Sequence, residues 1–241
     1  MDKIKYNNFN IDNISLERES HTYILEENKE LEFTSVTTFL GDFFDKFDAQ
    51  KIATKLVSKV PKYSHLTVDE LIMQWNEARD HGTKVHNEIE DFLIDNKPAT
   101  EIKALNGIDW LNKNCDKVKH EVLSEKIIYS EELKLAGSID LIIHNKETNQ
   151  YSLVDWKTNA KITTSSYDGK SGTHQITSDL DDCKYTLYAL QLSLYRYLLE
   201  EYYGLNIYRQ FIVHLKDNET IAYLTPYYKD HIKKLTELRK F

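Results

Sequence analysis

Three side chains between Gly137 and Lys157 have the types and spacing for phosphate or metal chemistry. Asp140 opens the apolar run Leu141-Ile142-Ile143. A polar segment from His144 to Gln150 follows, and Tyr151-Ser152-Leu153-Val154 leads into Asp155-Trp156-Lys157. Two β-rich runs joined by a polar segment predict a hairpin. Side chains alternate faces along a strand, so Asp155 and Lys157 point the same way. With the strands as neighbours, Asp140 joins them, and two carboxylates and an ammonium meet at one end of a sheet. Such oxygen donors suit Mg²⁺ or Mn²⁺, and the ammonium suits a phosphate or an attacking water. Taken singly, Asp140 is an ordinary turn or strand-start residue, and Asp155 with Lys157 an exposed edge pair. Asp155, however, lies between an apolar run and Trp156. A buried carboxylate without a partner is costly, which motivates a metal or a lysine beside it.

Two further segments offer candidates. In His81-Gly82-Thr83-Lys84-Val85-His86-Asn87-Glu88-Ile89-Glu90, His86 falls on a predicted helix with Glu90 one turn on, on the same face. A helical histidine by itself is an ordinary surface or core residue. Gln191 and Tyr195 also share a helix face, among aromatics at core spacing (Tyr185, Tyr188, Leu199). Glu125, on the strand before Asp140, reads either as a substrate-side carboxylate or as an exposed strand residue. Lys161, Lys170 and His174 sit in a polar loop after Lys157, solvated by default.

The elements that must position these groups follow from periodicity and caps. A hairpin is predicted over 20–33, turning at Glu27-Asn28-Lys29. Thr34 to Thr37 offer caps to a helix starting near Val36 and running on through Phe44 to Val60, where Pro61 stops it. Residues 67–95 read as one or two helices with a capping signal at Thr67 to Glu70, and Gly82 as a break or close-approach point. A helix from Glu101 to about Lys117, β character over 121–157, a helix over 180–203, a hairpin over 207–225 and a closing helix over 226–240 complete the order. The expected fold is α/β (α+β): a mixed sheet flanked by helices. An N-terminal elaboration (1–80) and a core (81–241) are expected to form one unit.

Bulk properties bound the classes. The 241 residues suit one large domain. No apolar run reaches the roughly 20 residues of a membrane helix, and Met1 to Tyr6 lacks an apolar signal core. With only Cys115 and Cys183, a disulfide framework is not expected, and a four-thiolate zinc or iron–sulfur site from one chain is excluded. The net charge of −8 counts against a protein that coats nucleic acid through bulk positive charge. It does not exclude an enzyme on nucleic acid, because metal ligands are acidic and bound cations reverse the local field.

In order and spacing, four elements of the chain resemble the PD-(D/E)XK nucleases, in the RecB-type branch with the mitochondrial genome maintenance exonuclease and many phage exonucleases. Gly82-Thr83-x-x-His86-x-x-x-Glu90 is similar to the helical G-x-x-H-x-x-x-E motif, Gly137-Ser138-Ile139-Asp140 to G-x-x-D, Val154 to Thr158 to (D/E)-x-K-T, and Gln191 to Tyr195 to Q-x-x-x-Y. The proline that names the superfamily is absent, as are the cysteine cluster of its iron–sulfur members and any helicase phosphate loop. The resemblance implies a restriction-endonuclease-like sheet and hydrolysis of DNA phosphodiester bonds, as an exonuclease on single strands or ends. It implies Mg²⁺ or Mn²⁺, one or two ions, held by His86, Asp140, Asp155 and the backbone carbonyl of Trp156. Lys157 would be the catalytic amine beside Asp140 and Asp155, and Gln191, Tyr195 and Glu125 would lie on the substrate side. The helices of 35–118 would arch over the site, and among Phe43, Phe44, Phe47 and Trp75, mostly core, some would stack on bases. A DNA-binding subunit of a recombination complex, a structure-specific endonuclease and a small-phosphoester hydrolase are the alternatives. Lys-, Asn-, Ile- and Tyr-rich composition fits an AT-rich genome and a phage or mobile element. The expected setting is the cytoplasm of a bacterial or phage-infected cell, with DNA as partner, a recombination or replication protein as a further candidate, and no membrane.

Overall fold

The computed structural model describes Phe9, residues 13–18 and residues 20–240. The stretch Met1 to Tyr6 lies outside them. Among the described residues no helix is long and apolar enough to cross a membrane.

The first strands, β1 (Ile14–Glu17) and β2 (Thr22–Leu25), pair antiparallel. This corrects the hairpin expected over 20–33: the chain reverses at 18–21, and Glu27 to Lys29 form only an exposed turn after β2. Ile14, Tyr23 and Leu25 bury together against Tyr129 and Ala136, and that apolar set fixes the register. The turn carries no Gly or Pro to announce it. His21 takes the left-handed conformation instead, at φ 53°.

After β3 (Thr34–Ser35), the Ser35 hydroxyl accepts the Thr38 N–H at 3.0 Å and starts α1 (Val36–Gly41). The helix does not run on to Val60 as expected. It stops at Asp42, and Asp48 caps a new helix, α2 (Ala49–Lys59), by accepting the Lys51 N–H at 2.9 Å. In the break Phe43 and Phe44 turn into the core. Helix α3 (Val68–Asp95) is a single 28-residue helix opened by a Thr67–Glu70 capping box. Gly82 does not break it. A Cβ there would lie 2.8 Å from Thr158 Oγ1, so this glycine lets the helix approach the end of a strand. Helix α4 spans Ile102–Asn114.

The remaining elements are β4 (His120–Ser130), β5 (Leu135–Asn145), β6 (Gln150–Lys157), α5 (Lys184–Tyr202), β7 (Ile207–Leu215), β8 (Thr220–Leu224) and α6 (Lys229–Glu237). The sheet runs β3-β5-β6-β7-β8, with β4 along the other edge of β5. It is mixed: β6 is parallel to β7 and antiparallel to β5. A connection through α5 makes the parallel pair possible. Helix α5, apolar nearly all round its middle, covers one face with α1 and α6. The C-terminal half of α3, with α4, covers the other through Val85, Ile89, Ala104 and Leu111. The fold is therefore the expected mixed sheet between helical layers. Helix α3 runs straight through residue 80, and α1 packs in the main core.

Candidate active site

Strands β5 and β6 part where the chemistry lies. Their pairing extends from Asn145–Gln150 to Leu141–Val154 and stops there, one step short of Asp140 and Asp155. Beyond that point β6 stays on β7 as far as Lys157–His214. In the gap the Asp140 carboxylate, not a backbone carbonyl, accepts the Trp156 N–H at 2.8 Å. A side chain thus replaces a ladder bond, which satisfies the amide and fixes the carboxylate. Trp156 itself is buried edge-on against Trp110 at 5.7 Å.

Alternation along β6 puts Val154 and Trp156 in the α3–α4 layer and Leu153 in the α5 layer. Asp155 and Lys157, in phase with Leu153, share that second face. Asp155 is 3 % exposed. Its Oδ2 lies 2.5 Å from Lys157 Nζ, off line for a well-formed hydrogen bond and without any other such partner. Burial pushes the Asp155 carboxyl up to about 6 although Lys157 pulls it down, and Asp140 adds to the rise. Burial opposes the charged form of Lys157, but Asp155 and Asp140 outweigh it and hold the ammonium above its ordinary value.

From α3, His86 directs Nδ1 at Asp140 Oδ2, 3.5 Å away. Burial lowers the imidazole's affinity for a proton, and the Asp140 charge more than restores it. Burial likewise works against ionised Asp140, yet His86, Lys157 and the Trp156 N–H keep its carboxyl below the usual range. Across β5, the β4 register runs Ser124–Leu141 then Lys126–Ile139, so Glu125 stands opposite Asp140. Glu125 is left-handed at φ 48° and interrupts the ladder. Its carboxylate accepts the Ser138 hydroxyl at 2.9 Å. Like charges facing each other across a sheet are unfavourable. Burial and then Asp140 accordingly push Glu125 up to about 7.

Ligand atoms of His86, Glu125 and Asp140 all lie within 4.8 Å of one another. Two opposed carboxylates that resist joint ionisation, with an imidazole beside them, fit a divalent cation with oxygen and nitrogen donors. The sequence expectation placed Asp155, not Glu125, in that trio. Here Asp155 sits next to it, engaged by Lys157.

A sequence model of the PD-(D/E)XK nuclease superfamily matches residues 53–239. The chain belongs to that superfamily. Asp140 and Asp155-Trp156-Lys157 fill the D and (D/E)-x-K of the PD-(D/E)XK pattern, with Ile139 in place of its proline. No curated protein matches the chain. Two solved structures are similar to it at 14 % identity: one named SSO0001, over 85 % of this chain and 73 % of that one (TM-score 0.38), and a "putative exonuclease" from Eubacterium rectale, over 89 % and 79 % (TM-score 0.37). Likeness at this level bears on neither substrate nor mode of cleavage.

Side chains of α5 pack behind these residues. Gln191 donates to the Tyr195 hydroxyl at 3.3 Å. The Tyr195 ring fills the splay over Gly137, where a Cβ would meet it at 2.6 Å. Tyr195 is thus buried behind the carboxylates and not open to solvent. Tyr188, read as core from the sequence, does more. Its ring lies 4.6 Å from Lys157 Nζ, and its hydroxyl donates to Asn159 Oδ1 at 2.8 Å. The Asn159 carbonyl in turn contacts buried His214 Nε2 at 2.5 Å. Only the one-turn spacing from Tyr188 to Gln191 signalled a shared face. Lys161 is exposed, Lys170 pairs with Asp45, and His174 packs on Phe43. These three do not converge on the carboxylates.

Proposed function

We propose that the protein is a metal-dependent DNA exonuclease of the RecB-type branch, acting on single strands or DNA ends with Mn²⁺ or Mg²⁺. Residues 81–241 carry the catalytic apparatus, and within 1–80 the helical part, α2 with the start of α3, forms an arch on the substrate side. The observation that carries this is the splay of β5 and β6, which gathers Asp140, Asp155 and Lys157 beside His86 and Glu125.

His86, Glu125 and Asp140 would hold the cation, with Asp155 and the Trp156 carbonyl as further oxygen donors. When bound, it supplies Lewis acidity, polarising a phosphoryl oxygen and acidifying nearby water. The imidazole among the donors favours Mn²⁺. Lys157, kept as an ammonium, serves as an electrostatic partner for charge growing on the phosphate and as an orienting donor to the attacking water. A general-base role would need that shift reversed by the charge of the bound cation. Asp155 anchors that ammonium. Gln191 and Tyr195 back the gap from behind the carboxylates and hold the strand ends apart.

End-labelled linear and circular single-stranded DNA, incubated with Mn²⁺, Mg²⁺ or EDTA, tests this. Metal-dependent loss of linear DNA alone is expected. Cleavage of circles would make it an endonuclease, and binding without cleavage a DNA-binding subunit.

A further inference from the structure

Between Asp48 and Asp69 the chain has four lysines and no carboxylate, in a protein of net charge −8. Three of them, Lys51, Lys55 and Lys59, recur every fourth residue on α2 and so line one exposed face. The helix is anchored by its other side, where Ala53 is fully buried. Asp45, just ahead of α2, pairs with Lys170 and also attracts Lys51, whereas Lys55 and Lys59 have no acidic partner among the described ion pairs.

Exposed rings flank the stripe. Tyr167 is 75 % exposed, with Lys55 Nζ 5.4 Å from its ring centroid. Phe47 is 69 % exposed and meets Trp75 edge-on at 5.5 Å. Both rings are tied to the catalytic end. Tyr167 lies in the loop that leaves β6 just after Lys157. Helix α3 starts beside α2 and reaches Thr158 at Gly82. From Leu71 to Gly82 a helix rises roughly 16 Å, a span that a short single strand covers.

Resting on the nuclease reading above, we infer that this face of α2 is a track for single-stranded DNA, with Lys51, Lys55 and Lys59 on phosphates and Tyr167 and Phe47 on bases. Charge complementarity selects a polyanion. Exposed rings beside a basic stripe select one whose bases are unstacked, which duplex DNA does not offer.

The test compares oligo-dT of 2 and 20 nucleotides with wild type, K51E/K55E/K59E, the neutral K51Q/K55Q/K59Q, and Y167A. Binding is read by anisotropy in EDTA across a salt series, and turnover in Mn²⁺. For the 20-mer, the Gln triple variant should bind roughly tenfold or more weakly, with a log K against log salt slope shallower by about 2, from ~0.7 per lost phosphate contact. The Glu variant should be weaker still, and Y167A roughly tenfold weaker. Turnover of the 2-mer, too short to reach α2, should stay at the wild-type level. Unchanged affinity and slope in a triple variant, with wild type degrading the 20-mer, would overturn the track and leave the nuclease reading standing. A wild type that neither binds nor degrades either oligomer would overturn both.

Discussion

Lys157 lies between a carboxylate and an aromatic face, and each neighbour has a separable job. Lys157→Ala should cut turnover by about 10²–10³ through lost stabilisation of the transition state, as for a missing oxyanion donor. DNA affinity should stay within about threefold, and normal turnover in the purified variant would remove Lys157 from the chemistry. Tyr188 should act through that lysine: Tyr188→Phe keeps the ring over the ammonium, whereas Tyr188→Leu loses a cation–π contact of about 1–2 kcal/mol. Turnover should fall in the order Tyr, Phe, Leu with KM unchanged, and equal values for Phe and Leu would reject the assignment. The acidic pair makes a pH prediction. Glu125 and Asp155 have raised carboxyls, about 7 and about 6, against ordinary values of 4.5 and 3.8. Stability from a raised group is complete below its unfolded value and is lost as pH climbs through its folded value. In EDTA, the Tm of wild type relative to Glu125→Gln should therefore decline from about pH 4 to pH 7. Mn²⁺ requires the deprotonated carboxylates, so its Tm gain should grow over the same range and shrink in Glu125→Gln. A Mn²⁺ gain equal at pH 5 and pH 8 would count against these ligands.

Helix and strand positions set how tightly those residues are held. Gly137 faces the Tyr195 ring, so Gly137→Ala forces that buried ring aside. A cost of about 1–3 kcal/mol is expected from overpacking. Urea unfolding should report it, and Gly137→Ala combined with Tyr195→Leu should recover part of it. Recovery failing entirely would locate the strain elsewhere. Much at this scale was legible: Ser35 and the Thr67–Glu70 box opened helices where expected, and the β5–β6 and β7–β8 hairpins fell in place. The misses have local causes. Asp48 competes for the backbone and restarts a helix that periodicity alone would continue. A histidine in the left-handed region made a turn that composition did not announce.

At the scale of the molecule, an acidic protein has to bring a polyanion to a carboxylate site. Cations that His86, Glu125 and Asp140 would hold reverse the local sign, so Ca²⁺ or Mn²⁺ should strengthen binding of a 20-nucleotide strand to Lys157→Ala relative to EDTA. Equal affinity with and without the ion would argue that the site takes no part in holding DNA. The sequence alone determined the chemistry within one strand: Asp155 and Lys157 share a face because strand alternation is covalent and local. It also determined the family pattern and the order of elements from Thr67 onward. Which carboxylate stands beside His86 was decided only by tertiary structure, because Glu125 meets Asp140 through the β4–β5 register and not through spacing. The same holds for Tyr188 over Lys157 and for the gap that Tyr195 fills: both depend on how α5 lies across the sheet, set by packing over the whole core.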